Sequence, residues 1–189
     1  MRAQLASAVV DLHSPEALKR LFASEVLERA ARMVSSKILM EALGRGTVTA
    51  ALAKALGDPD QKVVRNAVIA IAEIGRRYLK DDRAYPSVVR LFTSPDALTR
   101  LWALEAAVVL RAAASLPDIS QLLRDRSAKV RAGVVRLALG LTLHAELSVE
   151  ARAELRALAA LAADDGNRSV REFAANLMSA LAVPGESPA

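Results

Sequence analysis

Five stretches of this chain read alike. "LGDPDQKVVRNAVIAIAEIG" runs from a break at Gly57-Asp58-Pro59 through Val64-Arg65 into an apolar segment. "LLRDRSAKVRAGVVRLALGL" sets Asp125 before Val130-Arg131, and "LAADDGNRSVREFAANLMSAL" sets Asp165 before Val170-Arg171. A weaker copy, "LFTSPDALTRLWALEAAVVL", has Ser94 in the acid position and Arg100 in the arginine position. The weakest, "LFASEVLERAARMVSSKIL", has Ser24 with either Glu28 or Arg29. Arginines 65, 100, 131 and 171 lie 35, 31 and 40 residues apart. Intervals of that size suit one helical hairpin per unit, so the chain reads as a row of similar pieces.

Each copy carries a shorter helical segment before its break and a longer one after it. The shorter segments are expected at 15–22, 48–56, 86–92, 117–124 and 149–163, and the longer ones at 25–43, 61–79, 97–114, 128–144 and 168–182. Val64, Val68, Ile71 and Gly75 show the helical spacing. Thr47 and Ser148 are placed to cap helices, and Pro15, Pro86 and Pro117 fall at or near helix starts, where the missing N–H costs nothing. Ala and Leu supply most of the 53% hydrophobic content, aromatics make up only 3%, and both Ala and Leu favour helix. The expected organisation is a single repeat domain over residues 1–182, with units at 15–43, 47–79, 86–114, 117–144 and 148–182. Residues 1–12 would add a capping helix. The tail "VPGESPA", 183–189, has two prolines and no core and is expected to be disordered.

The pattern of Leu-Leu, a small break, Asp, spacers, Val-Arg and an Ala-rich helix resembles HEAT repeats. It is especially similar to the short bacterial kind related to phycobilin-lyase repeats. The resemblance implies an all-α fold, a right-handed α-solenoid of about five HEAT-like hairpins. It also implies an internal ladder between adjacent units, made by Asp58, Asp125 and Asp165 with Arg65, Arg131 and Arg171, and Arg100 stands in the same arginine position. An acid at the start of the longer helix satisfies free N–H groups and faces the positive end of the dipole. The arginine fork can bond both the acid and carbonyls of the turn between repeats. Ser24 and Ser94 depart from the pattern and would interrupt the ladder between units one to three.

No Cys is present, which excludes disulfides and thiolate metal sites. The longest run without a charged residue, 173–185, is too short to span a membrane, and the opening residues show no signal-peptide cleavage pattern. A cytoplasmic protein is expected, and the excess of Arg over Lys, 20 to 6, hints at a GC-rich bacterial genome. The net charge is +5. Residues 1–90 hold 15 basic and 10 acidic residues and residues 91–189 hold 11 of each, so the first half would prefer an acidic partner.

Catalytic chemistry finds little to work with. His13 and His144 stand in different units, without the spacing of metal ligands, so no metal and no cofactor are expected. His144, at a helix end, suits the negative pole of the dipole. "GRG" at 44–46 lacks the rest of a phosphate loop. Asp81-Asp82 reads as a solvated turn rather than a catalytic pair. Trp102, aligned with Ala67 at a helix seam, reads as core, with a base-stacking or ligand-facing role as the alternative.

In a solenoid the longer helices usually line the concave side. Aligned on the arginines, their exposed stripe contains Arg29, Arg32 and Ser36, then Asn66, Ile69, Glu73 and Arg77, then Leu101, Leu104, Glu105 and Val108. It continues with Ala132, Val135 and Arg136, and with Glu172, Asn176 and Ser179. An apolar centre with an arginine rim suits a protein partner. A shift of one position would instead put Ile69, Leu104 and Val135 in the core. The expected function is a non-catalytic protein-interaction or scaffold module. The alternatives are nucleic-acid binding through the patches Arg29-Arg32-Lys37 and Arg76-Arg77-Lys80, or a lyase-like or DNA-glycosylase-like activity. The end repeats are open to self-association into a homo-oligomer.

Overall fold

The computed structural model describes residues 2–33, 46–144 and 147–182. Among these residues all regular structure is helical. The helices are α1 (Arg2–Asp11), α2 (Ala17–Met33), α3 (Thr47–Ala55), α4 (Gln61–Arg77), α5 (Tyr85–Arg90), α6 (Ala97–Arg111), α7 (Leu116–Ser120), α8 (Ala128–His144), α9 (Val149–Ala163) and α10 (Arg168–Leu181). Short 3-10 turns extend α5 at Leu91–Thr93 and α7 at Gln121–Arg124. The chain forms two compact units, Met1–Leu110 and Arg111–Ala189. In the first, α1/α2 and α3/α4 pack as hairpins, α5 and α6 follow one another across the break at 94–96, and α4 packs along α2. In the second, α7/α8 and α9/α10 make two hairpins, and α10 packs along α8 and α9.

The helix pairs number five among the described residues, but the first lies elsewhere than expected. Ala17–Met33 is one continuous helix, so no break occurs at Ser24. Its partner is α1, and the break is at residues 12–16. "SPEALKRLFA" at 14–23 repeats "SPDALTRLWA" at 94–103 nearly residue for residue. That match places Ser14 and Arg20 in the acid and arginine positions. Ser24 instead is buried in the seam between α2 and α4, where its Oγ donates to the Leu21 carbonyl (2.7 Å) and accepts from Asn66 Nδ2 (3.0 Å). Residues 34–43 of the expected first unit and the tail 183–189 lie outside the described residues, as do Ser36 and Lys37.

The break is built the same way five times. The side chain in the acid position accepts the N–H two residues later: Glu16 to Ser14, Asp60 to Asp58, Asp96 to Ser94, Ser127 to Asp125 and Asn167 to Asp165, at 2.7–3.3 Å. Serine does this as well as aspartate, which explains its presence at 14 and 94. Capping falls to the next polar residue, since Asp60 and Asn167 accept N–H groups of α4 and α10. Ser148 caps α9 as expected. Thr47 does not cap α3; it is the first helical residue, after Gly46 in a left-handed conformation at φ 83°. A Cβ at Gly46 would also approach Arg83 Nη2 to 2.7 Å.

Within each unit an arginine reaches from one break to the next, Arg20 to Asp58 and Arg131 to Asp165, in a register that differs from the expected one at the second copy. The arginine stands six residues after the acid position, as at 20, 100, 131 and 171. Arg131 forks onto Asp165 (2.6 and 2.9 Å) and donates to the Asp125 carbonyl (2.8 Å). Arg20 holds Asp58 (2.6 Å) and the carbonyls of Ser14 and Pro15. Arg100 donates to the carbonyls of Ser94 and Pro95, and Arg171 to that of Asp165. Counted from Asp58, the sixth position is Val64, which is buried. The second copy has one more residue before its arginine, so Arg65 is turned out of the ladder. It lies 3.6 Å from Asp96 with a third of its side chain exposed.

The stretch Ala97–Arg124 is long and apolar enough, by composition, to cross a membrane. It is not one helix, however: Ala112 adopts φ 47° and the chain passes into a 3-10 turn. Ala103, Leu104, Ala106 and Ala107 in it are fully buried against protein.

Candidate binding surface

Burial divides the expected stripe into residues that reach solvent and residues that do not. Ile69, Glu73, Leu104 and Val135 are buried, Leu104 and Val135 completely. For Leu104 and Val135 the cause is that the position four after the ladder arginine points into the seam, as Ser24 and Val68 also do. Aligning on Arg65 turned unit two by one residue, about 100° around the helix. Ile69 and Glu73 are buried for another reason: α4 packs along α2 on one side and meets α6 on the other, so positions held in α2 by the exposed Glu25 and Arg29 are covered in α4. Arg29 also departs from the stripe. It lies on the outer side of α2, lining a cleft of about 300 Å³ with Gln4 and Leu5 of α1. Arg136 and Asn176 are exposed, within the second unit.

What remains in the first unit is a connected surface across α2, α4 and α6. Trp102 is half-buried rather than core, and the Arg32 guanidinium lies over its ring, 5.3 Å from the centroid. In the corrected register Trp102 aligns with Asn66 and Phe22, not with Ala67. Arg32 Nε donates to Glu28, and Arg77 Nη1 donates to the Arg32 carbonyl. Arg76 bridges Glu73 (3.0 Å) and Glu105 (3.1 Å), tying α4 to α6. The buried Glu73 Oε2 accepts no hydrogen bond among the described residues, though Arg77 Nη2 lies 3.3 Å away. Asn66 spends its amide N–H on Ser24 and its Oδ1 has no donor among the described residues. Leu101 and Val108 are half-buried beside these groups on α6. The surface therefore offers one aromatic face, apolar patches and an amide oxygen inside a frame of arginine–glutamate pairs.

The other chemical candidates resolve into structure. Asp81 is buried, caps the 3-10 turn Asp82–Ala84 and is held by Arg83 at 2.8 and 2.6 Å. That bonding keeps its carboxyl below the usual range. It is a paired structural acid, not a solvated one. His13 is exposed at the hairpin break, its pKa lowered by partial desolvation and by Lys54. The side chain of His144 lies outside the described residues. Among the described residues no His, Asp and Glu converge as a metal site.

The architecture has solved counterparts. A designed armadillo repeat protein in complex with the peptide (KR)4 superposes on 94% of this chain and 82% of its own, at 21% identity and a TM-score of 0.72. An engineered protein of a structural genomics programme matches 94% of this chain and 78% of its own, at 20% identity and 0.68. The fold is that of a helical-repeat solenoid. No protein-family model matches the sequence, and no curated protein does.

Proposed function

We propose that the chain is a HEAT-like, non-catalytic binding module that takes a protein segment on the surface shared by α2, α4 and α6. The observation that carries this reading is Trp102, left half-exposed between polar groups from three successive repeats. An aromatic in that setting is the kind of residue that anchors interfaces. The designed armadillo repeat protein of like fold, in complex with a peptide, supports the same use of such a scaffold. The frame carries Glu28, Glu73 and Glu105 against Arg32, Arg76 and Arg77, a balanced set that suits the mixed side chains of a protein. Phosphates would have to displace carboxylates already bonded to those arginines.

The test is affinity purification with the whole chain and with Asn66→Ala, Arg77→Glu and Val108→Glu, each checked for native circular dichroism. A peptide from a recovered partner is then titrated against Trp102 fluorescence. Loss of the partner by at least tenfold in the variants supports the surface. Retention of every partner by Arg77→Glu and Val108→Glu rejects it. Leu104 is unsuited to such a test because a charge there would break the core.

A further inference from the structure

The exposed side of α2 extends beyond Glu28 and Arg32 to residues that the binding surface does not use. Leu18, Phe22 and Met33 are 80%, 64% and 78% exposed, and Val26 is half-buried between them. With Glu25 and Arg29 they form one stripe at helical spacing. Phe22 occupies the position of Asn66, which in α4 reaches the preceding hairpin through Ser24. Its face of α2 is thus the one by which a repeat stacks on its neighbour, and no described helix covers it. Phe22, Val26 and Met33 also line the cleft of about 300 Å³ against Gln4 and Leu5 of α1.

We infer that this face is a dimer interface, and that a second copy of the same chain covers it. The reason is self-complementarity. The stripe 18, 22, 25, 26, 29, 33 is symmetric about the point between Glu25 and Val26, as an isologous contact requires. An antiparallel crossing at that point sets Leu18 of one copy against Met33 of the other. It brings each Arg29 over Phe22 of the other copy, about 4.5 Å along the axis from Glu25, within reach of that carboxylate. Among the described residues neither Glu25 nor Arg29 forms an ion pair, which leaves this exchange open to them. The helix, 17 residues long, is long enough for both apolar ends to engage.

Sedimentation velocity on the full chain, over concentrations up to about 100 µM, reads the result. The parent is expected to dimerise. Phe22→Glu weakens the dimer at least tenfold, as do Glu25→Arg and Arg29→Glu singly. The double exchange Glu25→Arg with Arg29→Glu restores it, because the charges again oppose. Asn66→Ala and Arg77→Glu leave the dimer unchanged, which separates this interface from the partner surface. A parent that stays monomeric overturns the inference, and so does a dimer indifferent to Phe22→Glu. So does a double exchange that fails to recover while the variant keeps its helical content.

Discussion

Arg131 and Arg65 were equivalent as letters in a motif and are not equivalent as side chains. Arg131 is mostly buried, forks onto Asp165 and satisfies the Asp125 carbonyl, so removing it leaves the carboxylate with the Asn167 N–H alone and takes the side-chain donor from a backbone oxygen. Arg65 sits a third exposed, 3.6 Å from Asp96. Arg131→Ala should therefore cost about 2–3 kcal/mol, the range for hydrogen bonds to charged groups. Arg65→Ala should cost at most about 1 kcal/mol, as for an exposed pair. Urea unfolding measures both, and equal losses would show that the register is not what separates them. The same pair sets a pH dependence. Hydrogen bonds from Arg131 first, and from the Asn167 N–H, hold the Asp165 carboxyl below its ordinary value. A group with a folded pKa below the unfolded one adds stability that is complete above the unfolded value, about 3.9. That stability is lost as pH falls through the lowered value. Asp165→Asn should flatten this part of the acid-stability profile while lowering stability at neutral pH.

Between helices the decisive contact is a glycine. At Gly75 in α4 a Cβ would come within 2.7 Å of Val109 Cγ1 on α6, and valine is stiff about χ1. Gly75→Ala gains about 1 kcal/mol of helix propensity but should lose about 1–3 kcal/mol to overpacking. The expected net is destabilisation of about 1 kcal/mol, partly relieved when Val109→Ala is combined with it. A double-mutant cycle with simple additivity would show that the two helices do not meet there. Element spacing was the readable part of this chain: α4, α6, α8, α9 and α10 begin within a residue of their expected starts. The register was harder, because Asp58-to-Arg65 contains one residue more than Asp125-to-Arg131, and the burial of Ile69 and Glu73 comes from the packing of α4 against both α2 and α6, which no motif spacing records. The first hairpin was misread because its acid position holds Ser14. A search for "Ser-Pro-acid-Ala-Leu-x-Arg" would have paired it with 94–100.

For the whole molecule, a net charge of +5 invites a reading as a nucleic-acid binder, and composition alone cannot refuse it. The structure shows where the charge is spent. Arg20, Arg32, Arg76, Arg77, Arg83, Arg131 and Arg168 are each paired with Asp or Glu within the fold. Of the two basic patches seen in the sequence, Arg76-Arg77 is engaged with Glu73 and Glu105, and Arg32 is engaged with Glu28 and the Trp102 ring, while Arg29 lines the cleft against α1. Phosphate binding gains its free energy from released counterions, one for each phosphate neutralised, so cations already committed to carboxylates contribute little. Titration with duplex DNA should thus show, at most, weak binding at low salt. The slope of log K against log salt should correspond to fewer than about three phosphates, and binding should vanish near physiological ionic strength. A slope of six or more would mean that these arginines abandon their carboxylates for DNA, and the balanced surface around Trp102 would then be a nucleic-acid site rather than a seat for protein.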